Sequence, residues 1–506
     1  MDREGAMSGR LGWRWYLLPA LVAVVVLLVV APRALGEGDA PEFTLALALA
    51  GVPHPPGYPL YTLLGHGFVV AAHALGASWV FAAVLWSALA AAAATALIAM
   101  LCDRVIPEAL ALEPRARRVL VTGMALLVAF DPVFVRAGTQ AEVHALHTAW
   151  VAGSLLAGLA WWRARSAAGA GRGLAYGALL GAGLAHHPTA LCVALPLAVL
   201  AVVRLRREQR PFVRAVAALV VGAIVPMLAY VFVAWRAQHA AAFQWPALEP
   251  GLTGWLDHVT GRIYRGYLGG FHPSEAEGRL LWTAIVPLAV PGTIAALAHA
   301  RRGEDVAAWR AFAAALVLQV AFTLRYGVSD PTAYFLPVLV ISAAALTRTI
   351  ASVASAPHAN GPVALMASAL AVVVAFTWVV PEYQHARRIE DVDRSVRHAL
   401  AALPFERGVV LWDSDAYVRL IAEQQLERRK PELIVLDPAM LTWKVERARA
   451  ARLLGGDPLQ GLPAAESADV ARVAANIARL TSLPVVDFGT WWMDHASAEA
   501  TGAPSR

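Results

Sequence analysis

The chain has 506 residues, of which 58% are hydrophobic and 15% are charged, with a formal net charge of +6 and two cysteines. Soluble proteins are typically about a quarter charged, so this composition excludes an ordinary soluble domain. Two cysteines in or beside apolar runs indicate neither a disulfide framework nor a cysteine metal site. The basic residues cluster between apolar runs, where membrane orientation explains them, so nucleic acid is not an expected partner.

Apolar runs of roughly 18 or more residues, the length that a helix needs to cross a bilayer, recur along the first three quarters of the chain. Only helices and closed barrels satisfy their backbone hydrogen bonds in lipid. Long continuous runs, rather than short alternating ones, exclude the barrel. The predicted fold class is therefore an α-helical polytopic membrane protein.

About eleven spans are predicted from these runs. They lie near residues 15–33, 79–101, 119–136, 144–162, 173–185, 189–203, 215–235, 281–300, 309–324, 333–347 and 362–381. Residues 60–75 are apolar but short and interrupted by Gly65, His66 and Gly67, so we predict a helix at the membrane interface. The arginine-rich loops at 104–118, 163–172, 204–214 and 301–310 then join Arg3, Arg10 and Arg14 of the amino terminus in the cytoplasm.

This topology divides the chain into two predicted domains. Residues 1–381 form the transmembrane domain, whose first outer loop is 36–78. Residues 382–506 contain short apolar runs, at 408–412 and 432–436, between amphipathic helical patterns, which is typical of a small α/β domain. We expect this second domain to lie outside the membrane on the extracytoplasmic face.

The first outer loop carries two carboxylates three residues apart, Asp39 and Glu42, followed by a proline-rich turn around His54. Carboxylates beside arginines at an outer membrane boundary suit a site that activates a hydroxyl and binds a lipid-linked phosphate. Asp39-Ala-Pro-Glu42 also fits a capping box, with Asp39 at the N-cap and Glu42 three residues into the helix. The residues alone leave capping and catalysis equally open.

The topology places a further set of polar residues on the same outer side, where ionisable groups are costly and often functional. They are Arg136, Gln140, Glu142, His144, His147, His186, His187, Arg262, Tyr264, Arg265, Tyr267, Arg325, Tyr326 and Asp330. His144 and His147 have metal-ligand spacing, but hydrogen-bonded helix histidines are favoured because no third ligand is evident. His186 and His187 are equally explained by backbone groups freed at a helix break, and the arginines by lipid headgroups.

Several segments carry a family resemblance. Asp39-x-x-Glu42-Phe followed by Gly-Val-Pro-His-Pro-Pro-Gly-Tyr-Pro-Leu-Tyr at 51–61 resembles the signature of the protein O-mannosyltransferase-like membrane proteins. Further similar segments are Ala-Glu-Val-His-Ala-Leu-His-Thr at 141–148, Gly-Leu-Ala-His-His-Pro-Thr at 183–189, Asp-Pro-Thr-Ala-Tyr-Phe-Leu-Pro at 330–337 and Val-Leu-Trp-Asp-Ser-Asp-Ala-Tyr at 410–417. The resemblance spans nearly the whole chain.

The resemblance implies a GT-C fold and an inverting glycosyltransferase in a bacterial inner membrane, with a cytoplasmic amino terminus and a periplasmic C-terminal domain. The donor is expected to be a polyprenyl-phosphate sugar, with mannose as the sugar. The acceptor is expected to be a hydroxyl of a protein Ser or Thr or of a glycan, and membrane lipids are further partners. A transporter or flippase of a lipid-linked precursor is the alternative, although the paired broken helices that would favour it are not evident.

Enzymes of the implied fold place an acidic residue in the first outer loop, so Asp39 is expected to be the general base, with Glu42 as its partner. The expected substrate-binding residues are His54, Tyr58, Glu142, His144, His187, Arg262, Arg265, Arg325 and Asp330. The three arginines are assigned from chemistry, since a cation stabilises a departing phosphate. No cofactor is expected; a divalent cation held by Asp39, Glu42 and Glu142 is the less favoured alternative.

Overall fold

The computed structural model describes residues 10–110, 112–165, 169–208, 212–239, 243–249, 251–328, 330–355, 362–412, 416–463 and 469–501. Arg3 of the amino terminus and residues 413–415 of the tail motif lie outside these ranges. The described part is mainly helical.

The membrane part consists of seventeen described α-helices. Their bounds are α1 Arg14–Val30, α2 Ala40–Leu49, α3 Pro59–Ala74, α4 Trp79–Val105, α5 Pro114–Ala129, α6 Pro132–Thr139, α7 His144–Arg163, α8 Ala170–His186, α9 Leu191–Arg207, α10 Phe212–Met227, α11 Tyr230–Gln238, α12 Gly251–Val259, α13 Glu275–Leu280, α14 Val286–His299, α15 Val306–Thr323, α16 Leu336–Ala354 and α17 Pro362–Ala401. Short 3₁₀ turns at Pro188–Ala190, Arg262–Tyr267 and Pro331–Phe335 lie between them.

Six described helical stretches are long and apolar enough to cross a membrane, and a bent pair adds a seventh. The six are Trp79–Val105, Pro188–Arg207, Phe212–Gln238, Glu275–His299, Val306–Thr323 and Pro331–Ala354. The chain is therefore a multi-pass membrane protein, as predicted. The predicted total of about eleven spans is not confirmed and stays a prediction.

The span predicted at 119–136 is broken instead of straight. Helix α5 ends at Ala129 and α6 begins at Pro132, with an angle of 68° between them. Proline cannot continue a helix but is well suited to a first turn. The carboxylate of Asp131 accepts a hydrogen bond from the backbone N–H of Val133 at 3.0 Å, so it caps the new helix. The bend returns the chain to the region of the first outer loop.

Helix α3, which covers the predicted interfacial segment 60–75, has 16 residues and is not one of the spanning stretches. Its Tyr61 is fully buried in a cluster with Phe43 and Leu47 of α2 and with alanines of α4. His66 Nδ1 lies 2.7 Å from the backbone oxygen of Leu47. Helix α3 therefore holds α2, and with it the first outer loop, against the bundle.

Helices α8 and α10 approach each other through glycines. A Cβ added at Gly177 would lie 2.0 Å from the backbone oxygen of Leu219, and one at Gly181 would lie 2.0 Å from that of Ala223. Small residues spaced by four let membrane helices pack backbone to backbone, where dispersion contacts replace the hydrophobic effect. The Gly-x-x-x-Gly spacing of α8 thus accounts for this contact.

The C-terminal part is a small α/β unit, as predicted. Its strands are β1 Gly408–Leu411, β2 Leu433–Leu436 and β3 Val485–Asp487, in the parallel order β2-β1-β3, and its helices are α18 Tyr417–Glu427, α19 Lys444–Leu454, α20 Val470–Thr481 and α21 Phe488–Thr501. The central strand is buried along its whole length, as parallel strands covered by helices require. The predicted domain boundary at 381/382 lies inside the 40-residue helix α17 and stays a prediction.

Candidate active site

Helix α2 starts with Asp39 at its N-cap, Pro41 in its first turn and Glu42 at the third helical position. These are the positions of a capping box, but its hydrogen bonds are not formed. The Asp39 carboxylate caps no backbone N–H, and its side chain is 49% exposed. The carboxylate of Glu42 is turned toward His54. The capping interpretation therefore does not account for Asp39, whose carboxylate is left available.

Glu42, His54 and Tyr58 form a buried relay behind Asp39. The backbone N–H of His54 donates to Glu42 Oε1 at 2.5 Å, and His54 Nδ1 lies 3.1 Å from both Glu42 carboxylate oxygens. His54 Nε2 lies 2.9 Å from the Tyr58 hydroxyl and 3.8 Å from Asp39 Oδ2. The four prolines at 53–59 and Gly57 form the turn that brings this histidine back over α2.

The two carboxylates determine the charge of His54. Burial, the largest single influence, lowers its pKa, but the charges of Glu42 and Asp39 together outweigh it and raise the pKa to about 9. His54 is therefore a cation at neutral pH. Burial raises the pKa of Glu42, but the charge and hydrogen bonds of His54 oppose that shift and favour the carboxylate as its counter-ion. The cationic His54 ring, 3.8 Å from Asp39 Oδ2, attracts that carboxylate and orients it.

We expect any activity of this site to fall as the pH rises through about 9, because His54 then loses its proton. The ion pair stabilises the fold fully below the ordinary histidine pKa of about 6.5, and this contribution is lost between there and 9. Glu42→Gln removes a charge that raises the pKa of His54, so burial lowers it and the decline moves to lower pH. Profiles of kcat/KM against pH for both proteins measure this shift; superimposable profiles would show that the Glu42–His54 pair does not control activity.

Glu142 and Asp330 add two acidic groups that interact with Asp39. Burial, then the charges of Asp39 and Asp330, raise the pKa of Glu142 well above its ordinary range. Desolvation by the surrounding protein, then the charge of Asp39 and that of Glu277, raise the pKa of Asp330 to about 6, although this residue remains partly open to solvent. Acidic groups that raise one another's pKa lie close enough to interact, so both predicted residues lie near Asp39.

The predicted histidines lie behind Tyr58. The ring centroids of His144 and His187 are 5.6 Å apart, and that of Tyr58 is 5.5 Å from His187. His187 Nδ1 accepts a hydrogen bond from the backbone N–H of Thr189 at 3.2 Å, and His186 Nε2 lies 3.2 Å from the backbone oxygen of Val143. His186 and His187 thus hydrogen-bond with backbone groups near the helix break, as one of the two interpretations of the sequence predicted. His187 Nε2 is buried and has no partner among the described residues, so it is free for a ligand.

Three tyrosines lie near the predicted site residues. Tyr264 and Tyr326 are among the predicted outer polar residues but not among the expected substrate-binding residues, and Tyr334 is in neither set. Tyr264 is 6.2 Å from His54 between ring centroids, Tyr334 is 5.4 Å from His144, and Tyr326 is 5.4 Å from Tyr334. A tyrosine offers an apolar face and a polar tip, which suits a sugar ring with C–H faces and a rim of hydroxyls. Tyr334 lies in the motif at 330–337, and that motif was the one available signal.

The three predicted arginines differ in their pairing. Arg262 Nη1 lies 3.0 Å from Asp257 Oδ1, so its charge already has a partner. Arg265 and Arg325 are exposed and have no ion pair with any described residue. The backbone N–H of Gly269 donates to the backbone oxygen of Arg325 at 2.9 Å, which joins the segments that carry them.

The loop before Asp39 is held from two sides. Arg419 of α18 donates to the backbone oxygens of Leu35 at 3.0 Å and Gly36 at 2.6 Å, and its guanidinium pairs with Asp393 at 2.7 Å. The side-chain oxygen of Gln140 accepts from the backbone N–H of Glu37 at 2.7 Å. Glycine is needed at position 36, because a Cβ there would clash with the Gln140 side-chain oxygen at 2.3 Å. The C-terminal domain therefore positions the candidate base, and sequence reasoning missed this role.

Asp39, Glu42 and His54 also present one ligand atom each within 4.8 Å of one another, the one such group found among the described residues. Carboxylate and imidazole suit a divalent cation. The sequence hypothesis had Glu142 as the third ligand, whereas the structure places His54 there.

Comparison with known proteins agrees with the sequence resemblance. Residues 39–211 match the family model described as protein O-mannosyl-transferase TMEM260 N-terminal domain. The crystal structure of ArnT from Cupriavidus metallidurans bound to undecaprenyl phosphate superposes with a TM-score of 0.54 at 13% identity, covering 85% of this chain and 91% of that one. The chain has a GT-C fold. The family model and this fold confirm the resemblance, and they do not favour a transporter.

Two further structures of GT-C type show weaker similarity. ArnT from the same organism in the apo state has a TM-score of 0.48 at 14% identity, covering 87% of this chain and 94% of that chain. An oligosaccharyltransferase from Archaeoglobus fulgidus has a TM-score of 0.44 at 13% identity, covering 82% of this chain and 62% of that chain. No curated protein matches the sequence.

Proposed function

We propose that this GT-C protein transfers a sugar, mannose in the first instance, from a polyprenyl-phosphate donor to an acceptor hydroxyl on the extracytoplasmic face of a bacterial inner membrane. The carrying observation is the uncapped, half-exposed carboxylate of Asp39 beside the buried Glu42–His54 pair. The ArnT structure with the same fold contains undecaprenyl phosphate, which supports a polyprenyl carrier here. A protein Ser or Thr is the favoured acceptor, in keeping with the family model.

The proposed step is an in-line displacement at the anomeric carbon. Asp39 accepts the proton of the acceptor hydroxyl while the hydroxyl oxygen bonds to the anomeric carbon. The bond from that carbon to the phosphate oxygen breaks, and its electron pair leaves with polyprenyl phosphate. Attack opposite the leaving group inverts the configuration. His54, 3.8 Å from Asp39 Oδ2, orients the base.

The remaining site residues suit the substrates. Glu142, His144 and His187 have hydrogen-bonding atoms for sugar or acceptor hydroxyls, and His187 Nε2 is unpartnered among the described residues. Tyr58 completes the relay through its hydroxyl, 2.9 Å from His54. The charge of Asp39 raises the pKa of Asp330, so Asp330 lies close enough to interact with the candidate base.

Transfer by the purified protein tests this function. Radiolabelled polyprenyl-phosphate mannose is supplied with an extract of extracytoplasmic proteins, and label in protein is measured with and without a metal chelator. We expect transfer in both conditions, since the ion pair between His54 and Glu42 already neutralises the buried carboxylate. Loss of transfer with the chelator would overturn the metal-free mechanism. Movement of donor between the leaflets of proteoliposomes, without any transfer, would replace the enzyme with a transporter.

Arg265 and Arg325 are proposed to bind the donor phosphate. Replacing either with Gln is expected to raise KM for the donor by roughly 10-fold or more, because a hydrogen bond to a charged group contributes about 1.5–3 kcal/mol. Arg262→Gln is the matched control, since Asp257 already neutralises that guanidinium. Donor titrations measure the effect. A larger effect at Arg262 than at the other two would reverse the assignment.

A further inference from the structure

A second candidate site lies on the membrane face opposite the first. Helix α7 begins at His144, in the candidate active site, and ends at Arg163 after 20 residues. At 1.5 Å per residue this is about 30 Å, one hydrocarbon thickness. Arg163 Nη1 donates to the backbone oxygen of Arg104, near the end of α4, at 2.8 Å. The two arginines therefore mark the far membrane boundary.

Two adjoining cavities form a cleft at this boundary. The first has a volume of about 470 Å³, and its lining includes Arg10, Arg104, Ala157, Ala160 and Arg163. The second has a volume of about 750 Å³, and its lining includes Ala157, Ala160, Trp161, Arg165, Arg172 and Tyr176. Ala157 and Ala160 line both cavities, so they form one cleft, basic at its ends and apolar along its walls.

The cleft holds hydrogen-bond donors that the described residues leave unpartnered. They are Arg104 Nε, Trp161 Nε1 and the Tyr176 hydroxyl. Trp161 is 6% exposed and Tyr176 is 5% exposed. Burying a hydrogen-bond donor without an acceptor is unfavourable. Three such groups in one cleft therefore indicate a ligand that supplies acceptor atoms.

The charges of the residues around the cleft indicate the chemical class of that ligand. Arg10 and Arg163 are neutralised by ion pairs with Glu108 and Asp305. No described carboxylate pairs with Arg104, so the positive charge of this half-buried side chain is uncompensated. An uncompensated cation at a membrane boundary favours an anion.

We propose that this cleft binds an anionic phospholipid of the adjacent leaflet. Its phosphate oxygens accept hydrogen bonds from Arg104, and its ester carbonyls accept from Trp161 and Tyr176. Its acyl chain lies along the apolar walls, which a water-soluble anion would leave unfilled. Basic pockets between membrane helices are known to hold such headgroups. The site is a membrane's thickness from Asp39, so the inference does not depend on the proposed transfer reaction.

Native mass spectrometry of the purified protein with equimolar phosphatidylglycerol and phosphatidylcholine tests the proposal. The wild type is expected to retain phosphatidylglycerol preferentially. Arg104→Gln removes the charge, and Ala160→Phe fills the cleft at an exposed position without changing charge. Each is expected to lower retention by about 10-fold or more. Arg302→Gln is the control, since this exposed arginine lies in the loop before Asp305, on the same face but outside the cleft.

The outcomes separate lipid from other ligands. Equal retention of the two lipids, or equal loss in the Arg302 control, would overturn a specific site. Displacement of the lipid by millimolar glycerol phosphate would show an anion site and not a lipid site. If Arg104→Gln does not fold, Ala160→Phe decides, because it retains every charge; unchanged retention in that variant would refute the cleft.

Discussion

Asp39→Asn is expected to lower sugar transfer by about 10²–10⁴-fold, the usual contribution of a positioned general base. The amide has the same shape but cannot accept the hydroxyl proton. Because the Asp39 carboxylate makes no cap hydrogen bond, helix α2 loses no capping contact. The thermal unfolding temperature and the donor affinity should therefore match those of the wild type, and we expect the variant to differ in kcat.

Asp257→Asn is the matched control. Asp257 is an exposed carboxylate near the same outer surface, where it pairs with Arg262. This variant is expected to transfer at close to the wild-type rate, since exposed ion pairs contribute little. Wild-type transfer by Asp39→Asn would remove Asp39 from the mechanism. Equal losses in both variants would indicate a general charge effect at this surface.

Arg419→Gln is expected to destabilise the protein by roughly 3 kcal/mol, the low end of the cost of removing one partner of a buried ion pair, because Arg397 still pairs with Asp393 at 3.0 Å. Arg419 is buried between Asp393 and the backbone oxygens of Leu35 and Gly36. Its loss leaves the Asp393 charge and both carbonyls without this donor. Since these carbonyls lie just before Asp39, kcat should fall while KM for the donor changes little.

Arg429→Gln separates this positioning role from a general effect of charge. Arg429 pairs with Glu423 at 3.1 Å in the same domain, but it is half exposed. Glu423 is buried but keeps its ion pair with Arg397 at 2.8 Å. Replacing Arg429 is therefore expected to cost about 1 kcal/mol and to leave kcat unchanged. Thermal unfolding and kcat, measured for both variants, provide the test. Equal effects of the two substitutions would refute the proposed support of the catalytic loop by the C-terminal domain.

Sequence reasoning found the membrane class and the GT-C resemblance, and it singled out residues that the structure brings into contact, because each depends on local signals. Apolar run length is set by bilayer thickness. The motif from Asp39 to Tyr58 lies within one loop, so the residues that meet in space are also close in the chain. Glu42 and His54 are twelve residues apart and in direct contact. Such short separations made the site readable from sequence.

The contacts that sequence reasoning missed join distant parts of the chain. Arg419 lies 383 residues from Gly36, and no periodic pattern relates the two. Tyr334 approaches His144 because the packing of the helix bundle brings them together. The sequence prediction selected its polar neighbour Asp330 instead. Tertiary packing determines which distant residues come into contact.

Two local signals were interpreted incompletely. Asp131 and Pro132 start a new helix inside a continuous apolar run. The prediction relied on the length of that run, so it treated 119–136 as one helix. The capping box at Asp39 and Glu42 has the right spacing, but His54 competes successfully for the Glu42 carboxylate. Spacing identifies which groups can interact, while the packed structure determines which of them do.

The most direct test of the central claim is the product balance of one reaction. Purified protein is given polyprenyl-phosphate mannose and acceptor, and both labelled acceptor and released polyprenyl phosphate are counted. We predict that they appear in equal amounts in the wild type and that both are lost in Asp39→Asn. Donor that binds tightly but releases no polyprenyl phosphate with any acceptor would contradict the account.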